Sequence, residues 1–122
     1  MSTLQKVLVP LADGFEELEA VTVIDVLRRA GIQVIVADLG ESGRSDSGAG
    51  EHLVRGSHDI FLATDATLAE VDLADVEAIV MPGGLPGATN LQADARVLDA
   101  CRYLAERGRW VAAVCAAPIV LA

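Results

Sequence analysis

Residues Leu4 to Leu39, LQKVLVPLADGFEELEAVTVIDVLRRAGIQVIVADL, decide the fold. Leu4–Pro10 is a short apolar run dense in Val and Leu, read as a buried strand. Asp13-Gly14 closes it, and Glu16-Glu17 open a helix, where acidic side chains oppose the positive end of the helix dipole. Leu18, Val21, Ile24 and Leu27 recur at helical spacing, Arg28-Arg29 stand near the C-terminal end, and Gly31 ends the helix. Gln33–Leu39 is a second strand. Strand, helix and strand within about 35 residues form a βαβ unit, whose handedness makes the two strands parallel neighbours.

Gly40–Gly56 carries five glycines among Ser, Asp and Glu and reads as loop. His52–Val54 and Asp59–Leu62 are short strands of a β-ribbon, and Asp65–Val71 is a helical turn. Ala78–Met81 is a strand ending in Pro82-Gly83-Gly84, and Asp94–Arg107 is an amphipathic helix closed by Gly108. Trp110–Val114 is a strand that runs directly into Cys115. No repeat or linker interrupts the pattern. The expectation is a single α/β domain over residues 1–122, a doubly wound, mostly parallel sheet with helices on both faces.

Composition narrows the function. Of the 122 residues 52% are hydrophobic and 22% charged, which excludes a disordered segment. Aromatics make up 3%, so the core is Ala, Val, Leu and Ile, and the aromatic platforms of base-stacking modules are missing. Eighteen acidic against nine basic residues give a charge of -9, which repels phosphate backbones and anionic lipid. Neither nucleic acid nor a membrane is an expected partner. No apolar run approaches the ~20 residues that cross a bilayer, and the N-terminus lacks a signal-peptide pattern. Two cysteines, Cys101 and Cys115, make no disulfide framework, and a cytoplasmic location is expected. The apolar Ala116–Ala122 lacks a polar cap, so the fold is expected to continue past it, in further sequence or in a complementary C-terminal chain.

Ligands of doubly wound sheets bind beyond the carboxyl ends of strands. Three segments occupy such ends: Ala12–Glu19, Pro82–Asn90 and Cys115–Pro118. A strand enters Cys115, small residues flank it, and a helix pattern follows, the layout of a nucleophile elbow. A sulfur at a helix N-terminus is favoured as thiolate, the nucleophilic form. The same position also suits a buried small hydrophobe. Cys101, inside a helix, reads as structural. Pro82-Gly83-Gly84 offers bare backbone N–H groups of the kind an oxyanion hole needs, or is a plain loop. Glu16, Glu17 and Glu19 taken singly read as solvated charges.

Four segments, taken together, resemble the ThiJ/PfpI superfamily, in the branch of the parkinsonism-associated deglycase (DJ-one-like). They are Gly14–Glu19, Asp25–Gly31, Met81–Gly84 with Gly87-Ala88, and Ala112–Pro118, in family order across nearly the whole chain. The resemblance implies a flavodoxin-like fold of which 1–122 is the N-terminal two thirds, ending after the nucleophile elbow. It implies that Cys115 is the reactive, oxidation-prone cysteine and Glu19 the carboxyl group that contacts it. The backbone N–H groups of Gly84 and Ala116 would form the oxyanion pocket. Protonated beside the sulfur, Glu19 would donate a hydrogen bond to it and move a proton during turnover. No metal and no cofactor is implied. The family's pocket histidine follows the elbow, outside this sequence. His58 matches a position near the family's dimer interface, or is an exposed ribbon histidine; Arg29 is a second interface candidate, on the first helix, Glu16–Ala30.

Three functions follow. The first is a cysteine-dependent, cofactor-free enzyme acting on α-oxoaldehydes or glycated adducts, a glutathione-independent glyoxalase or protein deglycase. The second is a redox-sensing stress-response protein or chaperone switched by oxidation of Cys115. The third is a cysteine peptidase or amidase, which needs a histidine placed to activate the thiol. A homodimer is expected in each case.

Overall fold

The computed structural model describes residues 5–40 and 52–122. Five strands form one parallel sheet: β1 (Lys6–Leu11), β2 (Gln33–Asp38), β5 (Ala66–Thr67), β6 (Val76–Met81) and β7 (Trp110–Ala113). Their order is β5-β2-β1-β6-β7. The chain winds outward from β1 to β2 and β5, then crosses back to β6 and β7. The reversal lies between β1 and β6, where an open α/β sheet leaves a crevice at its carboxyl edge.

Strand β1 has apolar residues on both faces. Val7, Val9 and Leu11 point to one core cluster with Phe15, Ala20, Val34 and Val36, under helix α1 (Glu17–Arg29). Leu8 and Ala12 point to the other, with Ile79, Met81, Val97, Ala100, Cys101 and Leu104, under helices α2 (Gly87–Gln92) and α3 (Ala95–Glu106). Two buried faces explain the unbroken Val/Leu run, where a half-exposed strand would alternate. The flavodoxin-like, mostly parallel architecture expected from the sequence is the one observed.

Several local expectations change. Helix α1 buries Glu17 and Ala20 and packs Val23, Ile24 and Leu27 inward, whereas Leu18 and Val21 are 75% and 44% exposed. Apolar residues are so dense along this helix that more than one stripe fits helical spacing, and small Ala20 takes the place nearest the sheet. Asp65–Val71 is not one helical turn. Ala66–Thr67 joins the sheet edge, and only Leu68–Glu70 forms a 3-10 turn. The Gly40–Gly56 loop expectation falls mostly outside the described residues.

Strands β3 (Leu53–Arg55) and β4 (Phe61–Ala63) pair antiparallel as a separate ribbon. Glu17 pins that ribbon to α1. One of its oxygens, Oε2, accepts from the backbone N–H of His58 at 2.7 Å and of Ile60 at 3.1 Å. The other, Oε1, accepts from Ser57 Oγ at 3.3 Å and faces His58 Nδ1 at 3.1 Å. Glu17 is 5% exposed, so its reading as a solvated charge is corrected. Burial alone would push this carboxyl up. Hydrogen bonds from its own backbone N–H, the His58 side chain, and the N–H groups of Ile60 and His58 outweigh burial and hold it at about 2.

Replacing Glu17 by Ala should therefore cost about 2–4 kcal/mol of unfolding free energy in urea, because buried donors lose their acceptor. The Glu17 carboxyl titrates below its ordinary 4.5, so its stabilisation is complete above that value and is lost as pH falls toward 2. Glu17→Ala should lack this acid-dependent component.

Candidate active site

The crevice at the β1/β6 reversal is walled by backbone. After β1 the chain turns through Asp13-Gly14 into Phe15 and Glu16, the N-cap of α1, whose carboxylate accepts from Leu18 N–H at 2.8 Å. After β6 it turns through Pro82, Gly83 and Gly84. The two turns are joined by Glu16 N–H donating to the Gly83 carbonyl at 2.9 Å and Gly87 N–H donating to the Gly14 carbonyl at 3.2 Å. Gly84 has φ +93°, and a Cβ there would lie 2.4 Å from Glu16 N, so only glycine permits this approach.

Cys115 stands where β7 ends, with φ +54°, the left-handed conformation of a nucleophile elbow. Its side chain is exposed. Val114 N–H donates to the Met81 carbonyl at 3.1 Å, aligning the elbow with the end of β6. The helix pattern expected after it is a 3-10 helix, Ala117–Leu121. The backbone amide aimed at the sulfur is that of Ala116.

Glu19 lies in the first turn of α1 and reaches across the crevice, where its Oε1 accepts from Gly83 N–H at 2.9 Å. A Cβ added to Gly83 would meet this oxygen at 2.6 Å and the Cys115 Cβ at 2.8 Å, so carboxyl and cysteine converge over one bare α-carbon. A hydrogen bond to Glu19 and its negative charge push the Cys115 thiol up from its ordinary range. Burial adds to the rise, and the Ala116 N–H opposes it. These contacts act against the thiolate that a helix N-terminus would favour.

The structure therefore brings Cys115, Glu19, Ala116 and the Gly83-Gly84 turn together. Gly84 N–H has no acceptor among the described residues. Gly83, the anchor of Glu19, was not singled out by sequence reasoning; the diglycine signalled bare backbone but not which amide does what. His58 and Arg29 lie apart from the sulfur. His58 is on the ribbon tip, 70% exposed, 3.1 Å from Glu17 Oε1 and 3.6 Å from Glu16 Oε1. Its hydrogen bond to Glu17 and the charges of Glu17 and Glu16 raise its pKa. Arg29 pairs with Asp25 at 3.0 Å on the outer face of α1. Cys101 is buried, its Sγ 3.8 Å from Met81 Sδ, and is structural as expected.

The chain matches the sequence model described as the DJ-1/PfpI family over residues 5–122. It is 41% identical over 115 residues to protein dj-1beta of Drosophila melanogaster, covering 94% of this chain and 57% of that protein. The crystal structure of Drosophila DJ-1beta superposes with a TM-score of 0.85 at 39% identity, covering 98% of this chain and 59% of that one. Toxoplasma gondii DJ-1, described as oxidized, superposes with a TM-score of 0.83 at 36% identity, covering 95% and 58%. The chain thus spans a little over half the length of these relatives. None of the helices among the described residues is long and apolar enough to cross a membrane.

If the Glu19 carboxylate holds the proton on sulfur, Glu19→Gln should lower the Cys115 pKa, read as thiolate absorbance near 240 nm appearing at lower pH. A rise instead would show that the carboxyl carries the shared proton and donates it to the sulfur.

Proposed function

The chain belongs to the DJ-1/PfpI family, and on that premise we propose that it is a cytoplasmic, cofactor-free, cysteine-dependent enzyme. It converts α-oxoaldehydes such as methylglyoxal to 2-hydroxy acids and acts by the same addition chemistry on early glycation adducts. One observation carries this reading: an exposed cysteine at a strained elbow faces a carboxyl group that a backbone amide holds in place.

The steps use groups already in position. The Cys115 sulfur adds to the aldehyde carbon while Glu19 accepts the thiol proton and passes it to the former aldehyde oxygen, giving a hemithioacetal. Backbone N–H groups of Gly84 and Ala116 stabilise the oxygen as charge develops on it. Glu19, again a carboxylate, removes the proton from the former aldehyde carbon and delivers it to the neighbouring carbon while the hydroxyl proton passes to the former ketone oxygen, leaving a thioester of the 2-hydroxy acid. Water cleaves the thioester, releasing the acid and restoring the thiol. Methylglyoxal and one water thus become lactate, with no net oxidation.

A second reading, a redox sensor switched at Cys115, draws support from the relative described as oxidized. Cysteine peptidase chemistry has less support, because His58 is engaged by Glu17 and Ser57. The exposed Leu18, Val21 and Ile60 beside Glu16, Glu17 and His58 form an apolar strip that supports a homodimer through α1.

Lactate formation from methylglyoxal without glutathione is expected in the wild type and should fall at least a hundredfold in Cys115→Ser. Equal rates would sink the enzyme. A wild type without turnover that gains one or two oxygens at Cys115 under mild peroxide would leave the sensor reading standing. For the dimer, Leu18→Glu should sediment as a monomer under conditions where the wild type sediments as a dimer.

A further inference from the structure

We infer that Glu17 is a positioning residue for the Cys115 site: through the β3–β4 ribbon that it anchors, it holds the turn after β1 against the diglycine turn and so keeps Glu19 beside the sulfur. The inference rests on the proposed reading of Cys115 as a nucleophile and adds to it a residue that acts at a distance.

Three layers of backbone lie in series between the ribbon and the cysteine. The ribbon bonds to the turn after β1: Gly14 N–H donates to the Arg55 carbonyl at 2.8 Å, Ser57 N–H to the Phe15 carbonyl at 2.8 Å and Arg55 N–H to Asp13 Oδ1 at 3.1 Å. Phe15 and Gly56 form an isolated parallel bridge between the two. The opposite side of that turn lies against residues 83–87. A Cβ on Gly14, at φ +90°, would fall 2.5 Å from Pro86 Cδ, and one on Gly87 would fall 2.6 Å from Phe15 N. Gly83 is then gripped at both main-chain groups by the start of α1. Its carbonyl accepts from Glu16 N–H and its N–H donates to Glu19 Oε1, each at 2.9 Å. The Cys115 Cβ lies over the same α-carbon.

The ribbon pairs with no strand of the main sheet. Its base is tied to β2 by Thr64 Oγ1, which donates to Asp38 Oδ2 at 2.6 Å. Its tip is tied to α1 by the Glu17 carboxylate, which accepts from His58 N–H, Ile60 N–H and Ser57 Oγ. A Cβ on Gly56 would overlap that carboxylate, so the ribbon closes directly on it. Glutamine at position 17 keeps the size of the side chain but turns one acceptor end into a donor facing the ribbon's own donors. Asn90 Nδ2 holds the Asp13 carbonyl at 2.8 Å and Phe15 is buried, so a loosened ribbon shifts the turn without freeing it.

The experiment follows the pH dependence of Cys115 alkylation by iodoacetamide in the intact chain, with peptide mass spectrometry identifying the labelled residue. Glu19 faces the sulfur, so the inflection reports where that carboxyl stands, and a loss of global stability alone does not move it. In Glu17→Gln the inflection should shift by about half a pH unit or more, in the same direction as in Glu19→Gln. Gly56→Ala, which leaves every charge in place, should shift it the same way. Leu104→Ala, which opens a cavity in the core near the start of β7, should lower stability and leave the inflection unchanged. An unmoved inflection in folded Glu17→Gln overturns the inference. So does a shift in Glu17→Gln that Gly56→Ala lacks, since that is the effect of a removed charge. If either variant fails to fold, hydrogen exchange of the wild type decides. The Glu16 and Gly87 N–H groups should open together with those of Ser57, His58 and Ile60, with protection matching within about threefold. Turn amides that stay protected beyond that range while the ribbon opens overturn the coupling. A wild type that shows these shifts but makes no lactate supports the inference and overturns only the enzyme. Failure of Cys115 to label at all overturns the nucleophile reading and the inference with it.

Discussion

The site depends on a steric constraint: three stretches of backbone meet at the carboxyl edge of the sheet with no room for side chains between them. The turn after β1 lies against the turn after β6, and the elbow after β7 lies against the other side of the β6 turn. Gly83 and Gly84 make this possible, since a Cβ on either would fall within 2.4 to 2.6 Å of Glu16 N or Glu19 Oε1. Close backbone approach replaces side-chain contacts with main-chain donors. Such donors have fixed positions, so little reorganisation is needed when charge develops on a bound substrate.

Around this knot, three glutamates within four residues do three different jobs. Glu16 caps the helix, Glu17 is buried and pins the ribbon, and Glu19 crosses to the cysteine. Successive helix positions are rotated by about 100°, so Glu17 and Glu19 must leave the axis in nearly opposite directions. One projects toward β3 and β4, the other toward β6 and β7. A strongly acidic segment thus serves fold and site together.

Long periodic elements are legible in the sequence. The β1–α1–β2 unit, α3, β6 and β7 follow from apolar runs and punctuating glycines, because burial on both faces or on one stripe leaves a periodic trace. Short elements left none. Helix α2, GATNLQ, contains poor helix formers and exists because Gly87, Ala88 and Leu91 pack into the interior. Strand β5 is two residues long and forms because Asp65 accepts the Val36 N–H at 2.8 Å, steering Ala66–Thr67 alongside β2. Local propensity carries no record of such long-range partners.

The residue string by itself determined the parallel α/β class, the three strand ends where chemistry could sit and, through its family resemblance, the pairing of Cys115 with Glu19. Those depend on residue types and their order, which hydrophobic burial and glycine stereochemistry translate directly into architecture. Tertiary structure alone decided which of three adjacent acids is buried, which diglycine amide holds Glu19, which stripe of α1 faces inward, and that the cysteine beside Glu19 holds its proton more tightly than a helix terminus would suggest. Each of these turns on distances between segments separated by tens of residues, and electrostatic and hydrogen-bond energies respond to such distances rather than to sequence spacing.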